Sequence, residues 1–377
     1  MRAAAVLSIL SAALMAPFPS FDAHVIGQAG NQMGATSLVD VDHDGDLDWV
    51  VGERKNVWWF EYQGPDKWVH HTIGTNCLTD VGGTAFDVDG DGWMDQVTAG
   101  AWFRNPRSPR TRPWDRFEVG GITNSHDCVA ADVDGDGKQD LVAISDRSGV
   151  HWYKIPADPT QKWTGTKVGA GVHGGIGPRG VGDLDGDGDA DIVRSTGWFE
   201  NTGKGEGWTW HENLTGGGHP GKFPDCTKSW ITDLDKDGDN DIGMVDADVF
   251  TFDARVHWFE NADGKGLTWK EHVIATGKGD LHTLALADFD SDGDLDVFSG
   301  EGPGGGTGEK GARRWFIWEN VDGKGGSWKE HMIRENAAEC HEGVAADVDR
   351  DGAIDLCSKP WNGNLHVFLK NRAGGPR

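Results

Sequence analysis

The sequence predicts an all-β protein, a seven-bladed β-propeller with a calcium-binding loop in every blade. Three observations predict it. A nine-residue aspartate ladder, D-x-D-x-D-G-x-x-D, occurs seven times. The copies begin at residues 40, 87, 132, 183, 233, 288 and 347, so they lie 45 to 59 residues apart, a spacing that marks a propeller or solenoid. Around each copy the same four short runs recur in the same order.

The first run leads into the ladder, as in "GVAADVD", and the second leaves it, as in "DIVRS" and "DVFSG". The third carries aromatics: "VWWFEY", "VHWYKI", "VHWFENAD", "FIWENVDG". The fourth is led by Trp and alternates: "WVHHTIG", "WKEHVIA", "WKEHMIR". Short β-branched and aromatic runs bounded by Gly and Asp read as strands, and four per unit over seven units make a propeller. A solenoid would need capping ends, which the pattern does not show. The last unit stops after its third strand, "LHVFLKN" at 365–371, while "FDAHVI" at 21–26 matches "WKEHVI" at 269–274. Residues 21–26 are therefore expected to complete blade seven and close the ring, leaving no open sheet edge. One domain should span 21–371, with a tail at 372–377. Residues 1–20 combine Arg2 with an apolar run too short to span a bilayer, the pattern of a secretory leader. The mature chain is expected outside the cytoplasm, secreted or periplasmic, with no membrane span. Five cysteines are an odd number and too few for a disulfide framework.

The ladders carry metal chemistry. Their aspartates are Asp40, Asp42, Asp44 and Asp48; Asp87, Asp89, Asp91 and Asp95; Asp132, Asp134, Asp136 and Asp140; Asp183, Asp185, Asp187 and Asp191; Asp233, Asp235, Asp237 and Asp241; Asp288, Asp290, Asp292 and Asp296; and Asp347, Asp349, Asp351 and Asp355. A hard divalent cation takes six to eight oxygens at about 2.3–2.6 Å, and so many protein oxygens suit Ca²⁺ better than Mg²⁺. The Gly at position 6 permits the sharp turn. An EF-hand would need Glu at position 12, where these loops have Val51, Thr98, Ala143, Arg194, Met244, Ser299 and Ser358. Up to seven structural Ca²⁺ are expected. They would offset much of the formal net charge of -26, an acidity that argues against a nucleic-acid partner. Nineteen Trp and fifteen Phe supply the apolar area that a disordered acidic chain lacks.

These ladders and their spacing resemble FG-GAP or VCBS repeats, the calcium-loop propeller units of integrin α-subunit heads, some fungal lectins and several carbohydrate-active enzymes. The resemblance covers nearly the whole mature chain. "GVHGGIGPRGVGDLDGDGDADIVR" and "GDLHTLALADFDSDGDLDVFSGE" are also similar to bacterial VCBS-repeat proteins and to the propeller part of aldos-2-ulose dehydratase. The likeness implies fold and Ca²⁺; the fold itself hosts adhesion, lectin and lyase activities alike.

In such a propeller each inner strand runs down the channel into its ladder and the next strand runs back. The residue six before each ladder and those about five after it should therefore gather at the opposite, top face. The first position holds Gly34, Val81, His126, Gly177, Thr227, His282 and His341. Three histidines at one register, beside Asp127, Asp280 and Glu342, are the candidate site. Three imidazoles with carboxylates suit Zn²⁺ or Mn²⁺ with an open position. His126, His282 and His341 are the expected catalytic groups, with Lys228 and Arg179 stabilising developing negative charge. Trp102, Trp230 and Trp361, with Glu53, Asp146, Asp246, Asp248, Glu301 and Glu342, are the expected substrate contacts. His71, His272 and His331 repeat with the blades and read as packing residues. The Gly-rich run at 301–314 reads as a loop over the top face.

Two functions follow. One is a secreted carbon–oxygen lyase, a sugar dehydratase or polysaccharide lyase performing metal-assisted β-elimination on an oxidised or acidic sugar. The alternative is a carbohydrate-binding or adhesion propeller without catalysis. Polar top-face residues that differ from blade to blade favour one asymmetric site over repeated ones.

Overall fold

A computed structural model describes residues 17–374 apart from 33, 35, 78–80, 99, 123–124, 220–222 and 224–225. The leader expected at 1–20 thus falls outside the described residues through residue 16, as do the last three residues of the tail. Apart from one 3₁₀ turn at Glu309–Gly311, the regular elements are strands. No helix is long and apolar enough to cross a membrane.

The strands form seven blades of four antiparallel strands, with Pro178–Arg179 added parallel to the inner strand of blade five. Inner strands are Thr36–Val39, Thr84–Phe86, Ser125–Ala131, Val181–Gly182, Thr227–Thr232, Ala285–Ala287 and Glu342–Ala346. Each runs into a ladder, and the second strand starts on the ladder's last residue: Asp48, Asp95, Asp140, Asp191, Asp241, Asp296 and Asp355. In every blade this ninth aspartate ties the loop to the blade. In six blades one oxygen accepts the N–H of ladder position 2, as Asp48 does from Val41 at 3.0 Å, whereas Asp140 Oδ2 in blade three lacks that bond. The other accepts a third-strand N–H: Tyr62, Asn105, Ile155, Asn201, Asn261, Asn320 or Asn371. An acidic loop is thereby clamped onto an apolar sheet.

Blades pack face to face through seven apolar clusters, one at each interface. The cluster joining blade seven to blade one contains Ile26, Trp49, Phe60, Tyr62, Cys357 and Phe368. Third-strand asparagines reach across blades: Asn261 Nδ2 donates to the Leu184 carbonyl at 2.8 Å and Asn371 Nδ2 to that of Phe289 at 2.8 Å. All five cysteines are buried and unpaired.

Phe21–Gln28 pairs antiparallel with the third strand of blade seven, Leu365–Asn371, from Phe21 opposite Asn371 to Gln28 opposite Leu365. Contact begins earlier still. Phe18 stacks on His331 with ring centroids 3.9 Å apart, and the Ser20 carbonyl accepts from the Arg372 N–H at 2.9 Å. Deleting through Ile26 removes this outer strand and uncovers the edge of blade seven. The melting temperature is expected to fall by at least about 10 °C, since 1 kcal/mol shifts a large domain by roughly 2–4 °C. Deleting only through Ala16 should leave it unchanged in the same thermal scan.

Candidate functional site

At the end of the inner strands opposite the ladders lies a cavity of about 220 Å³, lined by Arg54, Val81, His126, His173, Asp248, His282, Pro303, His341 and Trp361. Its wall is a stack of planar groups. His282 lies on His341 with centroids 3.9 Å apart, His341 on Trp361 at 4.8 Å, and the Arg54 guanidinium is 5.8 Å from the Trp361 ring. Its floor is His126 and His173, 4.4 Å apart.

Asp248 organises the charges. Its Oδ2 lies 3.1 Å from His173 Nε2 and 3.7 Å from His282 Nε2. Burial opposes a charge on either imidazole, but Asp248 outweighs it and raises both pKa values. Burial would raise the Asp248 carboxyl too, yet the same two histidines hold it far below the usual range. His126 and His341 go the other way: burial lowers both, and for His341 the neighbouring His282 and Lys359 add to the effect. The pocket therefore sets imidazoles that hold a proton more readily beside imidazoles that hold one less readily.

Tautomers follow from the partners. The His282 Nδ1–H donates to the His341 carbonyl at 3.0 Å. The Lys359 ammonium donates to His341 Nδ1 at 3.0 Å, so neutral His341 carries its proton on Nε2. Burial brings Lys359 down to about 8 despite Glu342. Behind His126, buried Asp127 accepts from the N–H groups of Ile176 and Gly177 at 3.1 and 2.9 Å and from Lys228 Nζ at 3.3 Å. Burial alone would raise the Asp127 carboxyl, and Lys228 and His126 keep it well below its ordinary value.

Two pocket residues sit in the left-handed backbone region, His173 at φ 56° and Asp248 at φ 55°. Such residues cost roughly 1–3 kcal/mol each and persist where surrounding groups over-determine them. Carboxylates do so here. The Asp248 N–H donates to Asp280 Oδ1 at 2.6 Å, and the His173 N–H to Asp146 Oδ1 at 2.8 Å.

Ligand sets that could hold a metal lie at both ends of the channel. At the top, ligand atoms of His126, His173, Cys226 and Asp248 all lie within 4.8 Å of one another, and buried Asp248 Oδ2 has no well-aligned hydrogen bond. At the bottom, Asp40, Asp42 and Asp48, Asp87, Asp89 and Asp95, and Asp132, Asp134 and Asp136 converge in the same way. Four aspartates at ladder position 3, Asp89, Asp134, Asp290 and Asp349, each leave one buried oxygen without a hydrogen bond, and in Asp42 the corresponding oxygen meets only the Arg110 guanidinium, at 2.5 Å. Buried carboxylate oxygens are rarely left unpartnered. In blade six, where no Lys or Arg pairs with the ladder among the described residues, a divalent cation fits as the missing partner of Asp290.

The model of the FG-GAP-like repeat matches residues 40–98, 132–193 and 233–299. This chain is an FG-GAP-repeat propeller. No curated protein matches it. Among solved structures, a lectin of Agrocybe aegerita, described as recognising non-reducing terminal N-acetylglucosamine, is similar at 17% identity with a TM-score of 0.55, over 92% of this chain and 86% of its own. At that identity the likeness shows the fold.

The FG-GAP propeller brings together His126, His282 and His341, with Asp248 and Trp361, as their register suggested. The ligand atoms that converge within 4.8 Å at the top include His126 together with His173, Cys226 and Asp248, while His282 and His341 each spend Nδ1 on a hydrogen bond. Lys228 and Glu342 lie below the pocket in the channel wall. Other expected contacts lie elsewhere. Trp102 is fully buried, stacks on Phe117 at 4.8 Å and donates to the Pro159 carbonyl. Trp230 packs against the clusters of blades five to seven, with the Arg179 guanidinium 4.6 Å over its ring, so neither residue lines the pocket. Arg255 clamps Asp246 at 2.7 and 3.1 Å. Glu301 is buried and accepts from the N–H groups of Gly279 and Arg314, so it pins the 301–314 loop. Glu53 accepts from the Asn31 N–H and the Asn56 amide, and Asp146 acts through His173. His173, in the loop before blade four ("GVHGGIG"), is placed near the top face by the sequence though not among the site residues, whereas Arg54 sits in a loop that does not repeat and carries no signal.

Proposed function

We propose that this propeller binds carbohydrate at one site, the pocket at the mouth of its channel, and that its ladders hold Ca²⁺ as structural ions. The observation that carries the proposal is the stacked wall of His282, His341 and Trp361 facing Asp248 and His173. Planar apolar faces beside a few fixed polar groups suit the C–H faces and hydroxyls of a sugar ring. The fold shared with a lectin supports the reading. The pocket residues come from different blades and do not repeat, which gives one site per chain. Trp361→Ala should weaken binding of a sugar from a glycan panel by at least about tenfold, or 1.4 kcal/mol, in calorimetry, with an unchanged melting curve. Equal affinity in the variant would remove the pocket from the account.

A second reading, elimination of water or a glycoside from an oxidised or acidic sugar, is favoured by one observation. The environments of the four histidines push their protonation apart, with His282 and His173 raised and His126 and His341 lowered, as an acid–base pair requires. Neutral His126 would take the proton beside the carbonyl or carboxylate, and protonated His282 would donate to the leaving oxygen. A divalent metal on His173, Cys226 and Asp248 would polarise that carbonyl when bound, leaving His126 free as the base. With keto-sugars or uronate polysaccharides the parent should generate a conjugated, ultraviolet-absorbing product, and His282→Ala should not. No product from any panel substrate leaves binding as the function.

A further inference from the structure

The seven ladders are alike in their four shared aspartates, and two other positions divide them. The first is ladder position 7. It is Asp46, Asp189, Asp239 and Asp294 in blades one, four, five and six, but Trp93, Lys138 and Ala353 in blades two, three and seven. The second is the third-strand residue just before the N–H that the ninth aspartate accepts. It is Glu61, Glu200, Glu260 and Glu319 in blades one, four, five and six, and Arg104, Lys154 and Lys370 in blades two, three and seven. Both positions sort the blades into the same two groups.

The geometry gives the division a meaning. In blade three the Lys154 ammonium bonds Asp134 Oδ2 and lies 2.9 Å from Asp136 Oδ2. In blade seven Lys370 bonds Asp349 and lies 2.7 Å from Asp351. In blade two Arg104 Nε lies 2.8 Å from Asp89 and Arg107 Nε 2.7 Å from Asp91. A fixed positive charge rests on one oxygen of the third and fifth ladder carboxylates, where it repels a second cation, although Oδ1 of Asp89, Asp134 and Asp349 stays unpartnered.

In blades four, five and six the ladder carboxylates form no ion pair with Lys or Arg among the described residues. Asp185, Asp235 and Asp290 face Glu200, Glu260 and Glu319 as neighbouring like charges. Those glutamates are held by outer-strand histidines, with His211, His272 and His331 Nε2 each 2.6 Å away. Asp294 is only 8% exposed, and its Oδ1 is buried without a hydrogen-bond partner; Asp239 Oδ1 is also unpartnered. Glu260 and Glu319 also pair with Lys270 and Lys329 at 3.0 and 3.2 Å, but the five ladder carboxylates of each blade have no such partner; crowded together they are strongly self-repelling, and a hard divalent ion is the partner their oxygens fit. Blade one is intermediate. It has Asp46 and Glu61, but Arg110 reaches over from blade two to Asp42, Asp44 and Glu61 at 2.5, 2.8 and 3.0 Å.

We propose that the seven ladders are not equivalent: blades four, five and six bind Ca²⁺ tightly, blade one binds it weakly against Arg110, and blades two, three and seven are closed by their own Lys or Arg in place of an ion. This rests on the proposed Ca²⁺ occupancy and narrows it from seven sites to four. The six-carboxylate set offers a ligand shell to the cation. The four-carboxylate set with an internal cation needs none, so those blades keep their shape at any Ca²⁺ concentration.

Equilibrium dialysis of the full chain against Ca²⁺, with the bound metal measured by elemental analysis, tests this. Three ions per chain should bind tightly and a fourth at least about tenfold more weakly. Arg110→Gln should tighten the fourth. Glu260→Gln should weaken one of the tight three by at least about tenfold and leave the other two unchanged. Ala353→Asp combined with Lys370→Glu should add a fifth ion. Five or more ions on the parent would overturn the division, and an added ion in the last variant is a result that the parent's Lys370 must be absent to give. No ion at all would overturn the Ca²⁺ reading itself, which separates the two failures.

Discussion

Removing Ca²⁺ with excess chelator is expected to lower the melting temperature by about 20 °C, with full recovery on adding the ion back. Each ion that binds only the native state contributes about 2.7 kcal/mol at a hundredfold excess over its Kd. Several such sites, at roughly 2 °C per kcal/mol for a chain of this size, reach that shift. The chelated protein should also have an inverted pH dependence. Burial, with neighbouring carboxylates adding, raises the ninth-position carboxyls: to about 9 for Asp48, about 8 for Asp191 and Asp296, and about 7 for Asp95, Asp241 and Asp355. A raised folded pKa means the native chain holds more protons than the unfolded one between the ordinary carboxylate value and the raised one. Stability then falls as pH rises through that window. Calcium-free protein should melt higher at pH 5 than at pH 8. With the ion bound, the order should reverse, because Ca²⁺ needs the deprotonated loops. Thermal scans at the two pH values, with and without chelator, check both statements. A melting curve indifferent to chelator would remove structural metal from the account.

Asp127→Ala should be the most damaging single substitution near the pocket. It deletes the carboxylate that accepts from Lys228, Ile176 and Gly177 and lies 3.1 Å from His126 Nδ1. Lys228 is 3% exposed, so it would be left as a buried, unpaired ammonium. Breaking a buried pair in this way costs about 3–5 kcal/mol. Denaturant titration should show that loss at neutral pH. The double variant Asp127→Ala with Lys228→Met should recover part of it, because no uncompensated charge then remains. His126, freed of its partner, should lose its fixed orientation, and sugar affinity should fall in both variants. A single variant as stable as the parent would show that the pair contributes nothing.

The architecture was legible in the sequence because its determinants recur. A ninth aspartate that binds its own third strand and an aromatic at a fixed offset leave the same mark in nearly every unit, and an asparagine that binds the preceding blade recurs in four. His126, His282 and His341 were legible for the same reason: they sit on the repeat's own register, where the inner strand enters from the top. Residues outside the repeat were less so. His173 and Arg54 come from loops of unique sequence, and Asp146 and Asp280 reveal their roles only through the backbone N–H groups they hold. Departure from the repeat also misled. Trp102 and Trp230 break the pattern, yet they fill interior space between blades of unequal shape. Return-strand carboxylates such as Asp246 and Glu301 lie near the top face but are consumed by Arg255 and by loop N–H groups. Position along a strand fixes height in the channel, whereas orientation depends on the neighbouring blade.

The claim at the centre of this account is a single carbohydrate site at the channel mouth. A crystal of the calcium-loaded protein soaked with the tightest sugar from a glycan panel tests it most directly. The account predicts one sugar per chain, stacked on the wall of His341 and Trp361 and hydrogen-bonded to Asp248 or His173. Sugars bound at repeated positions between blades, with the channel mouth empty, would contradict it.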